Sequence, residues 1–188
     1  MYRILATASL GLLLAGCVTV HATAYQPSIE NTQALSSEGN SKIAVDAFNA
    51  ANGVENRSLS VRGSQLTGGG SDGTFATYVH DALQAELQTA GRYDQASQIR
   101  LSGTLTRNDL NGANMSVGTA QVGARFVVTR QNTKVYDKEL VADHHWDSSF
   151  VGAIAIPAAM QNYTTTLQKL VAQLFADPDF VKASAPAP

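Results

Sequence analysis

Cysteine is almost absent from this chain of 188 residues, which contains only Cys17. A single cysteine has no partner within the chain, so the fold contains no internal disulfide and no zinc site built from several thiolates. No cysteine follows Cys17, so the remainder of the chain also lacks a cysteine nucleophile. Any thiol chemistry is therefore confined to a position close to the N-terminus.

Positive charge is also scarce, because 13 Lys and Arg residues stand against 15 Asp and Glu residues. Removal of residues 1–16 would take away Arg3 and no acidic residue, which changes the formal net charge from −2 to −3. Nucleic-acid-binding proteins usually carry a basic face, and proteins held electrostatically on anionic lipid carry basic clusters. The charge balance argues against both classes and predicts no nucleic-acid partner.

The uncharged apolar run at residues 4–15 is too short to span a bilayer. It has the length of the apolar region of a signal peptide, and Arg3 supplies the preceding positive charge. An ordinary secretory signal would explain both features. The run ends in Leu14-Ala15-Gly16-Cys17, which is typical of the lipobox of bacterial lipoproteins. The cysteine at the cleavage site favours a lipoprotein, with residues 1–16 removed as signal peptide.

In this interpretation the Cys17 thiol carries a diacylglycerol, which makes Cys17 the predicted lipidation site. Each buried CH₂ contributes roughly 0.8 kcal/mol, so one acyl chain binds reversibly, whereas several chains form a stable anchor. The next residue is Val18, while aspartate at this position is the usual inner-membrane retention signal in enteric bacteria. We therefore expect a protein anchored in the outer membrane and facing the periplasm.

The remainder of the chain divides into three parts by composition. Residues 17–40 contain the lipidated cysteine and a polar segment without periodicity, which predicts a flexible tether. Residues 41–180 have the hydrophobic patterns of a single α/β domain facing the periplasm. The Ala- and Pro-rich residues 181–188 are predicted to be a disordered tail.

Hydrophobic periodicity within the domain predicts five strands and two amphipathic helices. Both apolar helix stripes need one shared surface, so we expect an α+β fold. It would be a two-layer sandwich with a mostly antiparallel sheet of about five strands and both helices on one face. The predicted strands are 42–48, 57–66 with a bulge at Gly63, 99–105 followed by a break at 108–112, 119–130 and 134–146; the helices are 74–90, ending at Gly91, and 157–175.

The closing helix predicts the centre of the core. Its apolar residues follow three-and-four spacing, which places Leu167, Leu170 and Leu174 on one face. Alternation within two neighbouring strands turns Phe126 and Leu140 inward. Gln168 is predicted to point outward.

The polar cluster at residues 143–147 contains two histidines and two aspartates, residue types that bind metals. Adjacent strand residues point to opposite faces, so His144 and His145 are not expected to share an ion. Ser148 and Ser149 follow, without the glycines of a nucleophile elbow. We therefore predict no catalytic residue, no metal site and no cofactor.

An uncharged apolar segment occupies residues 149–157. Its large side chains are either core beneath the sheet, the favoured interpretation, or a contact surface for a partner or lipid. Solvent exposure of these side chains would distinguish the two. The residues of this predicted contact are Phe150, Val151, Ile154 and Ile156.

The chain resembles the YajG-type small outer-membrane lipoproteins. The resemblance rests on the Leu14-Ala15-Gly16-Cys17 box, the helix 75–91 ending in glycine, the meander 99–146 and the closing helix that ends near residues 177–180. More distantly, it resembles the lipopolysaccharide-assembly lipoprotein and auxiliary lipoproteins of lipid transporters. The resemblance implies exposure to the periplasm and no enzymatic activity, and it transfers no functional residue.

Two functions from different classes follow as expectations. The first is a non-catalytic interaction module that docks on another envelope protein while its lipid anchor holds it to the membrane. The alternative is an accessory protein for lipid or glycolipid transport or assembly, in which a groove beside residues 150–156 holds acyl chains. A hydrolase is disfavoured, and the protein is predicted not to be an enzyme.

Overall fold

The computed structural model describes residues 19–37, 41–112 and 116–186. The predicted signal peptide and Cys17 lie outside these described residues. Within them the chain forms seven strands and four helices. In chain order these are β1 (Thr19–His21), α1 (Ile29–Ser37), β2 (Ala44–Ala50), β3 (Ser58–Val61), β4 (Ser64–Thr67), α2 (Phe75–Thr89), β5 (Ile99–Asn111), β6 (Val117–Arg130), β7 (Thr133–Asp147), α3 (Gly152–Phe175) and α4 (Pro178–Ser184).

The larger sheet has four strands in the order β2-β5-β6-β7. β5, β6 and β7 form the predicted antiparallel meander, while β2 pairs parallel with β5. Alternation along the strands gives this sheet one apolar face, on which Leu101, Val122 and Phe126 are fully buried. A bulge in β2 brings both Val45 and Phe48 to the same face, although they are three residues apart.

α2 and α3 lie side by side on this apolar face, where the rings of Phe75 and Tyr163 are 5.2 Å apart. The predicted core is largely confirmed. The three leucines of α3 at positions 167, 170 and 174 are buried together with Phe126, while Leu140 is only partly buried. Both ends of α2 are capped. The Thr74 hydroxyl accepts a hydrogen bond from Thr77 N at 3.2 Å, and the helix is ended, as predicted, by Gly91, which has a φ of 67°.

The α+β class is confirmed, but the single sheet of about five strands with two helices is wrong in detail. Residues 57–66 are not one strand with a bulge. They form the β3–β4 hairpin, whose two turn residues, Arg62 and Gly63, have φ values of 50° and 81°. This hairpin and β1 make a separate three-stranded sheet. The predicted break at 108–112 is also wrong, because β5 continues to Asn111, opposite Thr119.

The polar segment before the domain is not an extended tether over residues 19–37. β1 pairs with β4, and Tyr25 and Leu35 are buried. The fully buried carboxylate of Glu86 on α2 holds this segment. Its Oε1 accepts hydrogen bonds from Tyr25 OH at 2.7 Å, Ser28 N at 3.0 Å and Asn31 Nδ2 at 3.0 Å. The polar composition of residues 19–37 predicts a flexible tether, but hydrogen bonds to Glu86 hold this segment against α2.

The C-terminal predictions need two corrections. α3 begins at Gly152, one turn and more before Pro157, so the proline lies inside the helix. Residues 181–184 are not disordered tail but the second half of α4, which buries Phe180 and Ala183. The side chain of Asp177 caps this helix by accepting a hydrogen bond from Asp179 N at 2.9 Å.

Tyr25→Phe tests whether residues 19–37 belong to the folded domain. The variant keeps the ring that packs edge-on against Tyr78 at 6.4 Å and removes one hydrogen bond to a buried carboxylate. A hydrogen bond to a charged group contributes about 1.5–3 kcal/mol, so urea unfolding should show a loss in this range. Tyr93→Phe is the matched control, because its exposed hydroxyl bonds only to Gln95 in the described structure, and it should change stability by less than about 0.5 kcal/mol. Equal small effects would contradict the docking of this segment.

Candidate functional site

Large apolar side chains lie exposed on the surface where α3 begins. The exposed fractions are 78% for Phe150, 38% for Val151 and 60% for Ile154. We call these three residues the apolar patch. Ile156 is half-buried, and Ala155 is buried at 1%. Of the two interpretations of this segment, burial beneath the sheet is therefore wrong for the apolar patch.

Local hydrogen bonds set the position of the apolar patch. After β7 ends, Ser148 N donates to Ser116 O at 2.9 Å, which keeps the chain against the start of β6. Ser149 Oγ then accepts from Val151 N at 3.1 Å, one residue before α3 begins. Two buried alanines, Ala155 and Ala159, seat the first turns of the helix on the domain. The outward direction of the larger side chains thus follows from small residues on the inward side.

Arg62 connects the apolar patch to the β3–β4 hairpin. Its Nε donates to Gly112 O at 2.6 Å and its Nη1 donates to Phe150 O at 3.1 Å. Gly112 fits closely at this junction, because a Cβ there would lie 2.9 Å from Val61 Cγ1 and would force that side chain to shift. The hairpin turn, the end of β5 and the start of α3 are therefore held together at one end of the molecule.

The described chain begins at this same end. β1 runs parallel to β4, with Thr19 opposite Gln65, and β4 starts directly after the turn that contains Arg62. Consecutive Cα atoms are 3.8 Å apart, so Cys17 lies within about 7–8 Å of Thr19 along the chain. The predicted lipidation site is therefore joined to the strand that starts at this end of the molecule.

Charge is missing from both segments that meet here. No Asp, Glu, Lys or Arg occurs in residues 148–168 or in residues 19–29. The outer face of the four-stranded sheet is different. There Arg125 binds both carboxylate oxygens of Asp137 at 2.6 and 2.8 Å, and with Lys134 it holds the pKa of that carboxyl well below its usual range. The outer face of the sheet therefore carries charged side chains exposed to solvent, whereas the apolar patch carries none.

A groove of 460 Å³ runs between β1 and α3, next to the apolar patch. It begins about one helical turn beyond Ile154, at Pro157. Its lining combines apolar, hydroxyl and amide side chains with one histidine, and it contains no Asp, Glu, Lys or Arg. The lining residues on α3 include Pro157, Met160, Gln161 and Thr164, and those before α1 are Val20, His21 and Thr23.

In the polar cluster at 143–147, one histidine forms hydrogen bonds that join β7 to α3. His144 faces α3, where its Nε2 is 2.8 Å from Asn162 Oδ1 and its Nδ1 is 2.8 Å from Lys169 Nζ. An ammonium group donates, so Nδ1 accepts and Nε2 carries the proton. His145, the next residue along β7, is exposed. Residues 19–37, 41–112 and 116–186 contain no group of three His, Cys, Asp or Glu side chains that could hold a metal ion.

The serines beside this cluster are not coupled to the histidine. Ser149 Oγ serves the start of α3, and Ser148 Oγ is buried without a hydrogen-bond partner among the described residues. Both ring nitrogens of His144 are engaged by Asn162 and Lys169. This geometry does not form the serine–histidine pair of a hydrolase, in which the base contacts the nucleophile.

No helix in the part of the chain that the structure describes is both long enough and apolar enough to cross a membrane.

Comparison with known proteins shows the fold. No protein-family profile matches the sequence, and a search of curated proteins gives no match. The structure is similar to a Xanthomonas campestris protein of the DUF330 family, with a TM-score of 0.56 and 14% identity over 84% of this chain and 95% of that one. A minor lipoprotein from Acinetobacter baumannii aligns over 80% of this chain and 98% of its own, with a TM-score of 0.45 and 11% identity. At this identity the Xanthomonas similarity shows a common fold and no more.

Proposed function

We propose that this protein is a bacterial envelope lipoprotein, anchored through Cys17 at the periplasmic face of the outer membrane, whose domain is a non-catalytic interaction module. One observation carries the proposal: β1 begins at the end of the molecule that carries the exposed, uncharged apolar patch. The sequence separately places a lipobox cysteine two residues before that start. The order of elements that resembles the YajG-type lipoproteins supports the same assignment.

The arrangement of polar side chains supports a non-catalytic role. His144, the histidine of the polar cluster that faces α3, is fixed between Asn162 and Lys169. The buried carboxylate of Glu86 is occupied by the N-terminal segment. Both groups hold elements together, and an interaction module needs no further chemistry.

Cys17→Ser tests the anchor. Without the thiol no diacylglycerol can be attached, so labelled palmitate should not be incorporated. The variant should either leave the membrane fraction or accumulate as the uncleaved precursor. Val18→Asp is the matched control for location, because it keeps the thiol and should retain palmitate while moving the protein toward inner-membrane fractions. Palmitate labelling of the Cys17→Ser protein would contradict the proposal.

The second candidate function, an accessory to lipid or glycolipid transport or assembly, is favoured by the groove between β1 and α3. Its lining includes the apolar residues Val20, Pro157 and Met160, and Val20 is three residues from the proposed lipid attachment at Cys17. Crosslinking in native membranes followed by mass spectrometry distinguishes the two functions. An envelope protein joined to the domain supports the interaction module, and a lipid joined to residues of the groove supports the accessory protein.

A further inference from the structure

We infer that the apolar patch of Phe150, Val151 and Ile154 contacts the bilayer that holds the Cys17 lipid. The domain would then meet the membrane at two points and keep one orientation, instead of moving freely on a tether. This inference rests on the proposed lipid anchor and adds to it a second membrane contact with named residues.

The chain between the lipid and the folded domain is short. A flexible tether over residues 17–40 would give a root-mean-square separation of roughly 25 Å. The structure replaces that tether with β1, which is paired with β4 from Thr19 onward. Only Val18 separates this strand from Cys17, so the reach is about 7–8 Å. A lipid inserted in the bilayer therefore brings the start of β1 to the membrane surface.

The apolar patch lies at the same end of the domain as the start of β1. Thr19 pairs with Gln65, just beyond the hairpin turn at Arg62. The Arg62 guanidinium donates directly to Phe150 O at 3.1 Å. The start of β1 and the apolar patch are thus linked through the β3–β4 hairpin, at the same end of the molecule.

The side chains of the apolar patch are of the kind that enters a membrane surface. Aromatic and aliphatic side chains enter the boundary between headgroups and acyl chains favourably, whereas charged side chains resist it. The patch exposes such side chains, and the segment 148–168 contains no charged residue.

The experiment uses full-length lipidated protein in phospholipid vesicles with single labels. Lipidation consumes the thiol of Cys17, so an introduced cysteine is the sole free thiol. Phe150→Cys and Ile154→Cys carry an environment-sensitive nitrobenzoxadiazole label. The first control, Ile29→Cys, replaces another exposed apolar residue, 73% exposed, on α1. The helix α1 packs near Gln168, which lies about 24 Å along α3 from Gly152.

The second control, Thr133→Cys, lies at the far end of the sheet. Thr133 pairs with Arg130, and the fourteen residues of β6 separate this end from Val117 by about 45 Å. On reconstitution, labels at 150 and 154 should brighten severalfold and become quenched by nitroxides on acyl chains. Their quenching by aqueous iodide should fall severalfold, while labels at 29 and 133 should remain accessible to iodide.

Flotation of the same vesicles separates two kinds of failure. Protein that does not float with the lipid overturns the anchor itself. Protein that floats while its labels at 150 and 154 stay as accessible to iodide as the label at 133 overturns the second contact alone. Shielding that appears in native membranes but not in pure lipid vesicles also overturns it, because a protein partner would then cover the patch.

Discussion

Arg92→Ala should lower the free energy of unfolding by about 3–5 kcal/mol. Arg92 is 2% exposed, although arginine is rarely buried. Its guanidinium donates to backbone carbonyls from three separate segments: Ser41 at 3.0 Å, Leu35 at 3.2 Å and Ser184 at 3.5 Å. The substitution leaves these carbonyls without their charged donor and opens a cavity where the longest buried side chain stood.

Urea unfolding of the full chain measures the effect, and Arg57→Ala is its matched control. Arg57 is exposed, so its replacement should change stability by less than about 0.5 kcal/mol. Arg92→Lys should recover only part of the loss, because one ammonium cannot match the planar fork of donors. A loss for Arg92→Ala no larger than that for Arg57→Ala would show that the three segments do not depend on the guanidinium.

Leu170→Ala is expected to cost about 2–5 kcal/mol, because transfer free energy is lost and a cavity remains. Leu170 is fully buried in the second half of α3, a helix that packs on β6 and β7. Domains of this size have roughly 5–15 kcal/mol of total stability, so this single truncation removes a large share.

Gln168 is not a suitable control for Leu170, because it makes tertiary hydrogen bonds. Gln168 is predicted from the sequence to point outward, yet its Nε2 donates to Gln26 O at 3.0 Å and its carbonyl accepts from Asn31. Gln173 on the same helix is exposed and is the better matched residue. Gln173→Ala should change stability by less than about 0.5 kcal/mol in urea unfolding. Equal losses for Gln173→Ala and Leu170→Ala would contradict the helix register.

The elements that the sequence predicts well are those with long, regular hydrophobic patterns. The meander β5–β7 and the helix α2 each alternate or repeat over many residues, so one face of each is plainly apolar. The leucines of α3 are predictable for the same reason. Local chemistry also predicts the ends of α2, since a threonine cap and a glycine with positive φ have recognisable sequence positions.

The elements that the sequence predicts poorly depend on contacts between distant residues. Residues 19–37 are polar and lack periodicity, and they fold because Glu86, far along the chain, accepts their hydrogen bonds. The buried position of Arg92 has no local signal either, because its acceptors are backbone carbonyls. The hairpin at Arg62 and Gly63 resembles a continuous alternating strand until the positive φ values of both residues are known.

The same distinction applies to the candidate site. The sequence identifies Phe150, Val151 and Ile154 as an uncharged apolar segment, but core and surface share that composition. Their exposure depends on Ala155 and Ala159 taking the inward positions of α3. The neighbouring start of β1 becomes evident only from its parallel pairing with β4. A polar N-terminal segment gives no sequence signal for that pairing.

The central claim is that a lipid on Cys17 ties this domain to a membrane, and mass spectrometry of the N-terminus tests it most directly. Protein extracted from native membranes should begin at Cys17. Its N-terminal peptide should be heavier than the amino-acid sequence by a diacylglyceryl group, with or without an additional N-linked acyl chain. A protein that retains residues 1–16, or one whose Cys17 carries a free thiol, would contradict the account.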